Sequence, residues 1–533
     1  MQRLVIALTA LLTLVGAAVV AGYLFIFGPS VDRAATLAPS TSLAYVSVSL
    51  TPSTGQEMDL ADLLAKLPGF SDRAALATKI DEIVQRSLSQ AGIDYHAEVA
   101  PWLGDRLAVA LVPSPAQSGI PGASPVLLMA VRDEAAARSG VEHVAQRTGS
   151  TLTTEQYQGA TIDILSGGGG PASISRLAIV DRMMVAAPDE AAIRAVIDVS
   201  AGRAAALAGN ADFRGAMSLL PADRVASLYV SVSGVAALTG QILDTSGYSS
   251  MGLAVVVRAE GLQVVGRAPF DAGAAGASTR AAVAQARDPS VLPEWMPADT
   301  QAELVFFDAR QAFESLTRHL SGVPGSGDLA QALTQIRTVI ALGLGVDLDR
   351  DILPLFDRDA AIALQVIDAT SPRGQLLLRP SDPAAAGDAL QRMVAGLRDR
   401  GSQVQTETVS GATLTSITVP QVGGVAFASQ DGVIVVGLTR DDVAAALTAH
   451  ASGETLAAST GYRAAFDVAG GRSGNELYLL GTPAVQALGS LLGQPIDALP
   501  ADVRDILTHI GAFALSASSQ PNQIGIHATV TVR

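Results

Sequence analysis

The chain carries two copies of one unit, and that duplication limits its fold more than any other feature. Residues 92–111 read GIDYHAEVAPWLGDRLAVAL and residues 345–364 read GVDLDRDILPLFDRDAAIAL, aligned without a gap. Gly92, Asp94, Pro101, Ala108, Ala110 and Leu111 meet Gly345, Asp347, Pro354, Ala361, Ala363 and Leu364. Leu37-Ala38-Pro39 and Tyr45-Val46 correspond to Trp295-Met296-Pro297 and Leu304-Val305. Further on, Gly159-Ala160-Thr161 matches Gly411-Ala412-Thr413, Asp212-Phe213-Arg214 matches Gly461-Tyr462-Arg463, and Leu228-Tyr229 matches Leu477-Tyr478. Each copy closes on two strand-like runs, Leu253–Phe270 and Phe513–Val532.

Local periods give the element types. Val46, Val48 and Leu50 alternate with Ser47 and Ser49, and Ile526, Ala528, Val530 and Val532 alternate with His527, Thr529 and Thr531. This period of two predicts half-buried strands, with one face of an antiparallel sheet covered. Leu60, Leu63, Leu64 and Leu67, then Ile80, Ile83, Val84 and Leu88, follow helical spacing, as do Leu390, Met393, Val394 and Leu397. Strand pairs mixed with helices favour an α+β class over a doubly wound fold. The expected architecture is two similar repeat units, 36–285 and 291–533, each a mainly antiparallel sheet with helices packed on it. The junction falls near Ala272–Pro293, where Gly, Ala and Ser are dense.

A transmembrane helix is expected ahead of the repeats. Residues 4–27, from Leu4 to Phe27, contain no charge, and at roughly 1.5 Å per residue they span the ~30 Å hydrocarbon core. Gly28-Pro29 ends the run, and Arg3 in the 1–3 stub places that side in the cytoplasm. The competing reading is a cleavable signal peptide, but Tyr23, Leu24, Phe25, Ile26 and Phe27 prolong the apolar run past any small-residue site. Both readings export the remainder, so the expected location is the cell membrane, single-pass, with the bulk of the chain extracytoplasmic.

Composition narrows the partners. The net charge is -15, with Lys66 and Lys79 the only lysines and no basic stripe, which argues against nucleic acid. The cysteine count is 0, which excludes disulfides, zinc–thiolate sites, a cysteine nucleophile and a lipidated cysteine.

Motifs for chemistry are incomplete. Gly247-Tyr248-Ser249-Ser250-Met251-Gly252 places its second glycine one position too late for a nucleophile elbow. Asp347, Asp349 and Asp351 alternate as calcium-loop ligands do, but Ile352 and Arg358 stand where the loop needs Gly and Glu, so a solvated acidic turn is expected. The six histidines, His96, His143, His319, His450, His509 and His527, show no i, i+4 ligand pair. Gly167–Gly170 is followed by no Lys-Ser/Thr and is expected to be a loop tip. Trp102 has Leu355 as its counterpart and is expected to plug the core. No carboxylate pair for glycoside hydrolysis is recognisable from spacing alone.

The opening LAPSTSLAYVSVSL, Lys66-Leu67-Pro68-Gly69-Phe70, Pro101-Trp102-Leu103-Gly104 and LAIVDRMMVAA at Leu177–Ala187 followed by Asp189-Glu190 resemble the bacterial domain of unknown function (DUF) 3352 family. The second copy departs at Leu355-Phe356-Asp357, where the first has Trp-Leu-Gly. The resemblance implies a membrane-anchored, extracytoplasmic protein and carries over no activity. The sequence therefore designates no catalytic, cofactor-binding or metal-ligating residue and no cofactor. It favours a non-enzymatic binding or scaffolding module of the cell envelope, with the membrane as partner and an envelope protein or apolar ligand as a further one. Carriage of a lipid or small apolar ligand is the second reading, and a hydrolase assembled only in three dimensions is the third.

Overall fold

The computed structural model describes residues 32–50, 53–67, 85, 94–114, 122–167, 175–234, 247–276, 280, 288–308, 310, 347–366, 373–419, 423–481, 508–520 and 522–533. The apolar run 4–27, the helical spacing at Ile80–Leu88, His319 and Gly168–Gly170 lie outside them. No helix of the described residues is long and apolar enough to cross a membrane.

The first copy supplies strands β1 (Ala44–Ser49), β2 (Leu103–Pro113), β3 (Ala123–Val131), β4 (Thr151–Tyr157), β5 (Ala160–Ser166), β6 (Arg176–Val180), β7 (Met183–Ala187), β8 (Ala226–Ser231), β9 (Ser250–Arg258) and β10 (Gly261–Pro269). The second supplies β11 (Ala302–Phe307), β12 (Asp359–Val366), β13 (Arg373–Arg379), β14 (Gln403–Val409), β15 (Ala412–Val419), β16 (Gly423–Gln430), β17 (Val433–Gly437), β18 (Asn475–Leu480), β19 (Ile510–Gln520) and β20 (Gln523–Val532). Helices α1 (Ala34–Leu37), α2 (Thr54–Ala65), α3 (Glu134–Thr148), α4 (Glu190–Ser200) and α5 (Ala211–Ser218) belong to the first copy. α6 (Pro383–Asp399), α7 (Arg440–Ser452) and α8 (Thr460–Ala469) belong to the second.

These strands pair antiparallel throughout. The first copy runs β4-β5-β6-β7-β3-β2-β1-β8-β9-β10 across the sheet. The second runs β14-β15-β16-β17-β13-β12-β11-β18-β19-β20, the same order. The expected α+β class and duplication are therefore present, but the two sheets are one, a 20-stranded sheet joined at its centre by β10 pairing with β20.

Local chemistry repeats with the topology. Asp133, Asp189 and Asp382 cap α3, α4 and α6 by accepting backbone N–H bonds, and Thr439 with Asp442 forms a reciprocal capping box on α7. Two-residue hairpin turns need positive φ at both central residues. Gln158-Gly159 and Ser410-Gly411 provide it at equivalent turns, as do Asp181-Arg182 and Asp431-Gly432.

Helices cover both faces, which corrects the expectation of one covered face. In the first copy Ile193, Val196 and Ile197 of α4 and Phe213 of α5 pack over Tyr45, Ala108 and Leu128. On the opposite face Leu60, Leu63 and Leu64 of α2 and Val141 of α3 pack over Val48, Leu228 and Val255. The polar half of the alternation is buried because its side chains are small or bonded. Ser47 accepts from Arg106 Nη1 at 2.8 Å, and Thr529 donates to the Leu262 carbonyl at 2.9 Å. In the second copy α7 and α8 fill one face and α6 packs on the other.

The structure also shifts one alignment. β1 and β11 superpose Ala44 on Ala302, so Tyr45 corresponds to Glu303 and Val46 to Leu304, one residue from the sequence alignment. Tyr45 lies opposite Tyr229, and Glu303 lies opposite Tyr478. A slip of one would have sent every side chain to the other face.

Candidate functional site

The acidic turn of each copy is structural. In the first, Glu98 is buried, accepts the Asp94 N–H at 3.0 Å and takes both arms of Arg147 at 2.9 and 3.0 Å. In the second, Asp351 accepts the Asp347 N–H at 2.9 Å and is paired with Arg350 and Arg392, each at 2.8 Å. Hydrogen bonds from Arg350 hold Asp351 well below the usual carboxylate range, against its burial. The expected solvated turn holds at Asp347 and Asp349, which are exposed, but Asp351, like Glu98 in the first copy, is a buried carboxylate locking a single wide i→i+5 turn at Leu348–Ile352 and Tyr95–Val99. Asp347 and Asp351 serve backbone and arginine rather than converging on a cation.

Other sequence candidates are dispersed. Trp102 plugs the core, donating from Nε1 to the Glu98 carbonyl. Ser250 is buried and donates to the Asp212 carbonyl. His96 stands beside Tyr95, His143 is exposed on α3, and His509 neighbours Thr508. Among the described residues, no three metal-ligating side chains converge.

Two polar constellations escaped sequence reasoning. The first is buried in the second copy, where Tyr462 Oη lies 3.1 Å from Glu303 and 3.3 Å from Glu476, which pairs with Arg472 at 2.9 Å. Burial pushes Glu303 up to about 8, with the charge on Glu476 adding to the rise and Arg472 opposing it. Glu476 is also raised by burial, against Arg472. A hydroxyl has one hydrogen and cannot donate to both acids. A proton held on Glu303 completes the chain, from Glu303 to Tyr462 to Glu476 to Arg472.

The second constellation is a pocket of about 320 Å³ at the end of the second copy's strands. Its walls include Trp295, Arg358, Arg379, Ser381, Asp431 and His450. Trp295 follows the turn Leu292–Glu294, and His450 in the last turn of α7 stacks on it, 3.6 Å between centroids and 8° from parallel. The His450 Nδ1 lies 3.2 Å from the Glu294 carbonyl, which sets the ring's orientation. Arg379 is the β13 partner of Asp359, the first residue of β12, and its Nε bonds that carboxylate at 2.6 Å. Ser290 donates to the other Asp359 oxygen at 2.5 Å, and Arg358 Nε stands 3.8 Å from the carboxylate. Asp357 accepts from the Ser381 backbone and hydroxyl at 2.9 and 2.5 Å, fixing that wall.

Almost the whole chain, residues 4–532, matches the family described as "Protein of unknown function (DUF3352)". The chain belongs to that family. No curated protein matches it. Among solved structures, crystal forms I and III of TP0453 are 10% identical to this DUF3352 protein, with TM-scores of 0.24. Form I covers 45% of this chain and 79% of its own, and form III 48% and 86%. Form IV is 12% identical over 44% of this chain and 79% of its own, again with a TM-score of 0.24. Similarity at that level carries no argument about fold or function. The pocket and the buried acids are therefore read on their own chemistry.

Proposed function

We propose that this DUF3352 protein is a non-enzymatic binding or scaffolding module of the cell envelope. In this reading residues 4–27 span the membrane, and both repeats stand on the extracytoplasmic side. The uncharged run of 24 residues after Arg3 supports the tether and its direction.

The observation that carries the reading is the β10–β20 ladder. Its register runs unbroken from Gly261↔Thr531 to Pro269↔Gln523. Enzymes that close two domains over a substrate bend at a few hinge residues, whereas a continuous ladder opposes bending. Two repeats fixed in one sheet can instead present different surfaces at constant spacing, which suits binding. The pocket described above sets Arg358, Arg379, His450 and Asp431 among apolar walls that include Trp295, Val291 and Val433, and those charged groups do not favour carriage of a wholly apolar ligand.

The test is made on the full-length protein. It should co-fractionate with membranes, remain accessible to external protease in spheroplasts, and show no turnover across ester, phosphate, glycoside and peptide substrates. Turnover that tracks the purified chain would overturn the non-enzymatic reading, and loss of membrane association would overturn the tether.

A further inference from the structure

We infer that the pocket bounded by Arg358, Arg379, Trp295 and His450 is a binding site for a small organic anion, held through its phosphate or carboxylate group. The inference rests on the binding-module reading only in taking binding, not turnover, as the outcome.

The duplication supplies an internal control. Residues needed only for the fold should recur in both copies, as Asp431 does in Asp181, and four of the pocket residues do not. The β1–β2 and β11–β12 registers make Arg106 the counterpart of Asp359 and Asp105 that of Arg358. The β2–β3 and β12–β13 registers place Ala130 at the position of Arg379. Counting from the caps Asp189 and Thr439, Ser200 stands where His450 does, and Leu37 matches Trp295. The first copy folds with Leu, Asp, Ala and Ser at four positions where the second has Trp, Arg, Arg and His. The architecture shared by the two copies does not require those four, although Arg379 also neutralises the buried Asp359 of its own copy.

Hydrogen bonding points the same way. Asp359 is fully buried, and its two oxygens are already taken by Arg379 and Ser290. Arg379, 18% exposed, uses only Nε on Asp359, so its two terminal nitrogens have no hydrogen-bond partner among the described residues. Arg358 is 53% exposed and reaches Asp359 only at the 3.8 Å pair. Two guanidiniums thus share one carboxylate and keep forked donors for an incoming oxyanion, the geometry that binds phosphate and carboxylate in bidentate fashion. Asp431 on the exposed β16–β17 turn opposes an anion and limits its affinity. The His450 ring, backed by Trp295, offers a flat wall for the organic part. The volume suits a ligand at the small end of the usual range.

The experiment is calorimetric titration of the full-length protein in phosphatidylcholine nanodiscs with phenyl phosphate, benzoate and inorganic phosphate. One saturable site per chain is expected for phenyl phosphate or benzoate. Arg358→Gln should weaken it about tenfold, the size of one lost charge-assisted hydrogen bond. Asp431→Asn should tighten it several-fold, and His450→Ser should weaken phenyl phosphate more than inorganic phosphate. Asp105→Gln, at the matching place in the first copy, should change nothing. Wild-type protein that binds none of the probes, or variants that all bind equally, would overturn the site. A repeat in discs containing phosphatidic acid identifies the source. Weaker apparent binding there means that a lipid headgroup competes for the pocket, and unchanged binding means that a free anion is the ligand. Release of phenol would leave the site standing and refute the non-enzymatic reading. Absence of both binding and release would remove the site and leave that reading intact.

Discussion

Val265 and His527 face each other across the β10–β20 ladder and occupy the same position of the two repeats. Gly261 opens β10 as Gln523 opens β20, and four residues on from each lie Val265 and His527, which are register partners. The pseudo-twofold axis of the molecule therefore passes between them, perpendicular to the sheet. The chemistry on the axis is not symmetric. His527 Nε2 lies 2.8 Å from Arg267, and an arginine can only donate, so Nε2 accepts. The ring proton then sits on Nδ1 and donates to the Ala469 carbonyl at the end of α8, 2.9 Å away.

Acid should weaken the protein through this residue. Burial and then the Arg267 charge lower the His527 pKa below its ordinary 6.5. The unfolded chain consequently binds the extra proton first, so the contribution to stability is complete above pH 6.5 and is lost as pH falls through the folded-state value. Urea midpoints between pH 5 and 7 should fall more steeply for wild type than for His527→Gln. Equal slopes would mean that the imidazole is not held neutral.

The sequence carried the repeat, the α+β class and the helical and strand periods, because these are local or periodic. Leu390, Met393 and Leu397 announce α6, while the cap Asp382 that starts it is seen only in the structure. It did not carry the fusion of the two sheets, since the pairing of β10 with β20 joins segments some 260 residues apart and leaves no local signal. Nor did it carry the burial of Ser47 or Thr529, whose polarity marked them as solvent-facing although hydrogen bonds satisfy them inside. The pocket was partly legible. Aligning Leu37 with Trp295 and Asp105 with Arg358 shows where the copies diverge, but only the register of β12 against β13 brings Arg379 to the same wall.

The Asp347–Asp351 turn should ignore calcium. Asp351 is committed to Arg350, Arg392 and the Asp347 N–H, so neither added calcium nor a chelator should move the thermal midpoint. Asp351→Ala should cost about 1–3 kcal/mol, less than breaking a fully buried pair because both arginines are at least half exposed. Denaturant titration measures the loss, and calcium-dependent stabilisation of the wild type would contradict the assignment.

Trp102 and Gly140 should prove interdependent. A Cβ on Gly140 would stand 2.6 Å from the Glu98 carbonyl and 3.0 Å from Trp102 Nε1. Gly140→Ala is therefore expected to destabilise by about 1–3 kcal/mol through overpacking. Trp102→Ala should cost about 3–5 kcal/mol through the cavity it leaves. In the double variant the smaller side chain relieves the clash with the indole, so the combined loss should be less than the sum of the two, and strict additivity would show that Gly140 meets the backbone alone.

Alkali should weaken the protein through Glu303, opposite in sense to His527. The folded-state pKa of about 8 lies above the ordinary 4.5, so between those values the native chain holds a proton that the unfolded chain has released. The stabilisation is complete below pH 4.5 and is lost as pH rises through 8. A tenfold difference in proton affinity corresponds to about 1.4 kcal/mol, so the interval from 4.5 to 8 makes the full effect on the order of 5 kcal/mol. Glu303→Gln keeps the shape, supplies an amide donor for Tyr462 and carries no charge. It should therefore remove most of the decline between pH 6 and 9 and be the more stable form at pH 9. Tyr462→Phe should leave the two acids without their intermediary and lower stability at every pH, while its first-copy counterpart is already Phe213. If wild type and Glu303→Gln unfold in parallel from pH 6 to 9, Glu303 is ionised in the native state and the proton belongs to Glu476.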